Sequence, residues 1–286
     1  MAFVLIRRKQ SIYILLTALM SVVSLSILST AIATPRWIDA TANPRNSSNL
    51  DVSISNVNYG LFKGFLTRRL LSSPLEYDLF FTCVWGQNAC AWSCQPTGTL
   101  RETEIQDLLD GKTPSFACLP YSSERNSVQF VSTLRSPDNR NERIFSNAGL
   151  WLSTLLFLAL SMIALLASAI LSLINCAKSP IEAYFNVHGI YVTNGVALAA
   201  NVAALILYGI SFNSYVKKDI SIYDTIVGDF YSEAKLDYSY WILLLPCLFD
   251  VVGIFLIAMR EFLINGKKGE TNIDVVDDAP ATGVLF

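Results

Sequence analysis

Histidine is almost missing from this chain. His188 is the only one among 286 residues, and a lone imidazole completes neither a metal cluster nor a catalytic triad. Charge is scarce as well. Asp, Glu, Lys and Arg make up 15% of the chain, where a soluble domain carries ~25%. No long basic run exists, and a net charge of -2 offers nothing to a nucleic acid. There is no P-loop, no dinucleotide fingerprint, no zinc-protease helix and no serine-nucleophile elbow. These absences exclude most soluble enzymes, and they leave nothing that calls for a cofactor or a metal.

What is present is apolar: 52% of the residues, gathered into four runs at 11–33, 148–175, 185–212 and 239–262. Each is about 20 residues or longer, the length a helix needs to cross ~30 Å of hydrocarbon. Arg7, Arg8 and Lys9 precede the first run; Arg260 lies at the end of the fourth, and Lys267 and Lys268 follow it. By the positive-inside rule both termini, 1–10 and 263–286, are expected in the cytosol, with a short cytosolic link at 176–184. The external segments are then a large first loop, 34–147, and a smaller acidic one, 213–238. Arg7-Arg8-Lys9 followed by an apolar stretch and Ala31-Ile32-Ala33 also spells a signal peptide with a cleavage site. The stretch is long for a signal h-region of ~7–15 residues, so an uncleaved anchor is expected. The fold class that follows is a membrane all-α four-helix bundle with a small, disulfide-bonded, β-rich external loop domain.

Cysteine usage fits an oxidising exterior. Cys83, Cys90, Cys94 and Cys118 all lie in the first loop, and the second loop has none. That placement separates the chain from tetraspanins and connexins. Four cysteines allow three pairings, and the sequence leaves the choice open. A zinc site is the rival reading of the cluster, but structural zinc sites use tighter pairs. Asn46 opens the chain's one glycosylation sequon, in the same loop. Strand signatures run over 50–59, 77–85 and 127–134. Thr99 and Glu102 form a capping box ahead of Ile105, Leu108 and Leu109, with Gly111 ending that helix.

Within the spans, Gly195, Ala199 and Ala203 recur every four residues, a spacing that lets helix backbones approach closely. Asn194 and Asn201 lie on a nearby face, able to hydrogen-bond across helices. Asp250 is the one acid deep in a span. With antiparallel third and fourth spans it lies at the depth of Asn201, so either a packing bond between them or an ion or proton site is open. His188 reads as an interfacial side chain, Cys176 as a palmitoylation site or a core thiol, and Cys247 as apolar packing. Transporters show internal repeats, broken helices and intramembrane charge; here only Asp250 and Pro246 point that way. The chain ends in Val284-Leu285-Phe286, whose last and third-last apolar side chains fit the pockets of a PDZ groove.

Trp37, Gly60-Leu61-Phe62 and the loop cysteines resemble the claudin superfamily pattern, with Phe62 where that pattern has Trp. The run Tyr59-Gly60-Leu61-Phe62-Lys63-Gly64, the Gly189-Ile190-Tyr191 start of the third run, and Tyr223, Tyr231, Tyr238 and Trp241 resemble the clarin family more closely. The middle of the first loop, about 70–143, is longer and richer in cysteine, which suits an invertebrate member. The resemblance implies a claudin-like arrangement of bundle and loop. It also implies a non-enzymatic plasma-membrane protein of sensory cells, tied to hearing and vision and to the organisation of synaptic or actin-linked membrane complexes. Its expected partners are the lipid bilayer, membrane or extracellular proteins bound through the first loop, and a PDZ scaffold at the tail, with a homo-oligomer open. A claudin-like junction or barrier protein, an auxiliary channel subunit and, less favoured, a transporter remain as alternatives.

Overall fold

A computed structural model describes residues 2–44, 55–68, 74–112, 145–177, 187–218 and 230–277. In chain order the elements are α1 (Ala2–Ala33), β1 (Ile38–Pro44), β2 (Ser55–Tyr59), β3 (Lys63–Arg68), β4 (Leu75–Val84), a 3-10 turn at Trp85–Gln87, β5 (Ala89–Ser93) and α2 (Gly98–Leu109). Then follow β6 (Ser146–Asn147), α3 (Ala148–Ala177), α4 (Val187–Ser211) with a π-helical turn at Phe212–Val216, β7 (Phe230–Leu236), α5 (Tyr238–Trp241) and α6 (Leu244–Asp277).

Among the described residues four segments are long and apolar enough to cross a membrane: Ser11–Ala33, Ala148–Ala177, Val187–Val216 and Tyr238–Leu263, of 23, 30, 30 and 26 residues. At ~1.5 Å per residue each exceeds ~30 Å of hydrocarbon. Their burial is the reverse of a soluble protein's. Leu19, Ile163, Val192 and Phe255 are more than half exposed, while Thr17, Ser21, Ser168 and Asn194 are buried. Lipid gives no hydrophobic drive between helices, so small and polar side chains make the contacts and the large aliphatic ones face the tails. This is a multi-pass membrane protein with four spans.

The contacts define two compact units. The all-helical one comprises Met1–Ser26, Ser161–Ala199 and Leu245–Phe286. Ile14, Val187, Ile190 and Ile257 form an apolar cluster in it, flanked by Leu171, Cys176 and Tyr191. Beside that cluster a directed chain of hydrogen bonds crosses three helices. Asn194 Nδ2 donates to Ser168 Oγ at 2.9 Å, Ser168 and Ser21 share a bond of 3.1 Å, and Ser21 Oγ donates to the Thr17 carbonyl at 3.1 Å.

The other unit, Ile27–Leu160 with Ala200–Leu244, holds the sheet. Seven antiparallel strands run in the order β6-β5-β4-β3-β2-β1-β7 and form a curled sheet. Alternation drives β2, where Ser55, Val57 and Tyr59 are buried and Asn56 and Asn58 are not. Each edge strand leads into a helix. β6 pairs with β5 (Cys90↔Ser146) and runs straight into α3. β7, from the second loop, pairs with β1 from Ile38↔Leu236 to Pro44↔Phe230 and runs into α5. Cys83 and Cys90 face each other across β4 and β5 and form a disulfide. Helix α2 lies on those two strands through Ile105 and Glu104, both buried.

Several expectations change here. The helix in the first loop is capped at Thr97 rather than Thr99, and its hydroxyl makes no capping bond. Gly111 does follow the helix with φ 74°, the left-handed region that a glycine adopts without strain. In the Gly195, Ala199, Ala203 stripe, Gly195 and Ala203 are half-buried. Ala199 is exposed, and a Cβ on Gly195 would meet no atom within 4 Å. The small residues that let α4 pack inward are Ala197, Ala200 and Ala204, because the face that must be buried is the one carrying Asn194 and Asn201. Of the expected strands, 127–134 lies outside the described residues.

Candidate functional site

The motif residues converge where the sheet meets the ends of the helices. Pro35 has no N–H, so the Ala31 carbonyl loses its ordinary helical donor. Trp37 Nε1 replaces it at 2.7 Å, together with the Thr34 hydroxyl at 2.9 Å. The fully buried Trp37 ring meets Tyr208 of α4 edge-on, with centroids 4.7 Å apart. Its backbone N–H donates to the Tyr59 carbonyl at 2.8 Å, and its carbonyl accepts from Asp237 N at 2.9 Å. One residue thus joins α1, β2, α4 and the second loop.

Tyr59 continues the contact chain. Its ring stacks on Trp92 at 4.4 Å, Trp92 lies 4.9 Å from Phe81, and Phe81 lies 5.5 Å from Trp151 in the first turn of α3. Gly60 permits the close approach of the β2–β3 turn to the end of α1. A Cβ there would stand 2.8 Å from each of the Lys63 carbonyl, Pro35 Cα and the Thr34 carbonyl. At Gly64 a Cβ would sit 2.5 Å from the Asn58 carbonyl. Leu61 is buried and its carbonyl accepts from Trp151 Nε1 at 3.0 Å, whereas Phe62 projects outward.

Two further groups stabilise the module. Cys83 and Cys90 cluster with Ala148, with Phe81 and Trp151 packed against them. Glu104 is buried on α2 and accepts a hydrogen bond from Ser93 Oγ, whose oxygen in turn accepts from Gln95 N at 3.1 Å. Burial raises the Glu104 pKa above the usual carboxylate value, and the Ser93 bond only partly offsets it. Arg101 stands over the Phe80 ring at 4.5 Å and donates to the Gln95 carbonyl at 3.2 Å. Lys235 and Asp39, cross-strand partners, pair at 3.1 Å, an exposed bridge worth less than about 1 kcal/mol.

The intramembrane residues divide between the units. Asn201 Nδ2 donates to the Leu243 carbonyl at 3.0 Å. That carbonyl lies in the break between α5 and α6, three residues before Pro246, which removes an amide from the helix ladder. Asp250 is buried in the helical unit, and its Oδ2 has no hydrogen-bond partner among the described residues. Ser24 and Ser172 hydroxyls are likewise without a partner there.

His188 is exposed at the start of α4. Cys94 is disulfide-bonded, while Cys176 and Cys247 are thiols. Among the described residues no group of three or more His, Cys, Asp or Glu side chains is placed to hold a metal ion. Asn46, Cys118 and Val284-Leu285-Phe286 lie outside the described residues. Sequence reasoning missed Trp92, Trp151 and Asn88. Their signal was Trp151 at the entrance to an apolar run and Asn88 in a hairpin turn between two cysteines.

No family model matches the chain. A curated human protein does: the chain is 25% identical over 136 residues to Clarin-3 of Homo sapiens. The likeness to Clarin-3 is distant. The match covers 46% of this chain and 59% of that protein, so the chain spans about three-fifths of the length of its relative.

Proposed function

We propose that this clarin-like chain is a non-enzymatic organiser of membrane complexes in the plasma membrane of sensory cells. Both termini are then cytosolic and the sheet is external. The likeness to Clarin-3 carries this reading. The physical support is the construction of the sheet. Trp37, Tyr59 and the Cys83–Cys90 disulfide make it one body with the helix ends, and a preorganised surface loses little conformational entropy when it binds a neighbour. The tail ending in Val284-Leu285-Phe286 supplies a second, cytosolic contact of the PDZ type.

Affinity purification from native membranes, with the full chain and with a chain ending at Gly283, tests this reading. The expected result is a cytosolic scaffold retained by the full chain and lost on truncation, with membrane partners retained by both. Strand-like polymers between transfected, otherwise junction-free cells would replace the organiser with a claudin-like barrier protein. Altered gating of a co-expressed channel would replace it with an auxiliary subunit.

A further inference from the structure

Two hairpin turns of the sheet are bonded to the ends of spans. Asn88, left-handed at φ 50°, closes the Trp85–Gln87 turn and caps α3: its Oδ1 accepts from Gly149 N at 2.9 Å and its carbonyl from Ala148 N at 3.4 Å. The β2–β3 turn is tied to the same helix by Trp151 Nε1 on the Leu61 carbonyl, and to the end of α1 by the Gly60 approach to Thr34 and Pro35. Both turns therefore lie at the ends of spans.

Each turn presents an aromatic ring outward. Trp85 is 57% exposed and Phe62 is 45% exposed. They flank Trp151 with centroids 6.3 and 5.9 Å from it. The patch continues directly into the outward face of α3, where Leu152 and Leu156 are exposed. Beside Phe62 a groove of about 280 Å³ runs along the end of α1, lined by Ile32, Ala33, Leu61 and Phe62, with Thr34 and Lys63 at its polar side. Tryptophan favours the membrane interface because its ring is apolar and its indole N–H is wet. Trp151 spends that N–H on Leu61, whereas the Trp85 side chain stands in the open.

We propose that both turns are seated in the phospholipid headgroup layer on the sheet side of the bilayer. Trp85 and Phe62 reach the edge of the hydrocarbon, an acyl chain lies along the Phe62 groove, and Lys63 meets a lipid phosphate. The occupant is phospholipid because the patch is continuous with a surface that four spans already give to lipid, and because the groove joins apolar walls to a cation. The sheet is then an interfacial module held at a fixed height over the leaflet. This inference does not depend on which compartment the sheet faces.

The full chain in phosphatidylcholine nanodiscs tests it. Emission is recorded for the wild type and Trp85→Phe, with lipids brominated near the top of the acyl chain and, separately, with iodide. The expected difference spectrum, the Trp85 contribution, is lost in brominated lipid and untouched by iodide. Quenching by iodide with no effect of bromine would overturn the proposal, as would insensitivity to both, which would put Trp85 against protein. Phe62→Trp adds an emitter to a chain that keeps Trp85, and its added emission should also be lost in brominated lipid; iodide quenching of it would overturn the groove assignment.

Discussion

Replacing Trp37 should separate the sheet from the helix ends. In Trp37→Ala the chain loses a fully buried ring, its edge contact with Tyr208 and the Nε1 donor to the Ala31 carbonyl. Truncating a buried tryptophan costs about 3–5 kcal/mol. For a protein of this size each kcal/mol lowers the melting temperature by about 2–4 °C, so a fall of roughly 6–20 °C follows. Trp37→Phe keeps most of the ring and forfeits the indole donor. Ala31 still accepts from the Thr34 hydroxyl, so the loss is about 1 kcal/mol, or roughly 2–4 °C. The assay is thermal unfolding in nanodiscs, read by size-exclusion recovery after heating. If Trp37→Ala melts within a degree of the wild type, Trp37 does not join these elements and the reasoning fails.

The remaining predictions concern the sheet. Gly60→Ala places a methyl against three backbone atoms, all at 2.8 Å, and should cost about 1–3 kcal/mol. Gly86→Ala, where a Cβ meets nothing within 4 Å, should be neutral within about 0.5 kcal/mol; equal melting temperatures for the two variants would contradict the packing at Gly60. Replacing both Cys83 and Cys90 by Ser opens a loop of sequence separation 7 and should lower stability by about 2–3 kcal/mol. Glu104 has a folded pKa above its ordinary 4.5. Its contribution is therefore fully present below pH 4.5 and lost as pH rises through the raised value. The melting temperature of the wild type relative to Glu104→Gln should accordingly rise as pH falls from neutrality toward 4.5, and a fall would reverse the assigned cause.

Legibility in the sequence followed physical strength. Long apolar runs can satisfy their backbone in lipid only as helices, so the four-helix class was readable, as was a disulfide-bonded β-rich loop. Strands β2 and β4 announced themselves through alternation and aromatic content. β7 did not: Glu233 and Lys235 break its apolar pattern, and its partner β1 lies far away in the chain. β5 is short and buried at every position, so it has no period to read. On α4 the four-residue recurrence of Gly195, Ala199 and Ala203 was a weaker signal than the polarity of Asn194 and Asn201, whose burial turned the helix by about one position. Trp37 and Gly60 were visible as motif positions, but their roles needed the distances. A single residue cannot show that its indole replaces an amide missing at Pro35.

The central claim is that the sheet and the helix ends form one ordered body. Hydrogen exchange by mass spectrometry on the wild-type chain in nanodiscs reads it directly. The amides of Trp37, Gly149 and Asp237 bond at the junction, and those of Gly60 and Phe81 hold the turn that packs against it. Peptides covering 35–40, 57–66, 79–92, 146–152 and 233–240 are therefore expected to stay protected together, on the timescale of the neighbouring spans. Exchange of these peptides within seconds, with the spans still protected, would contradict the account.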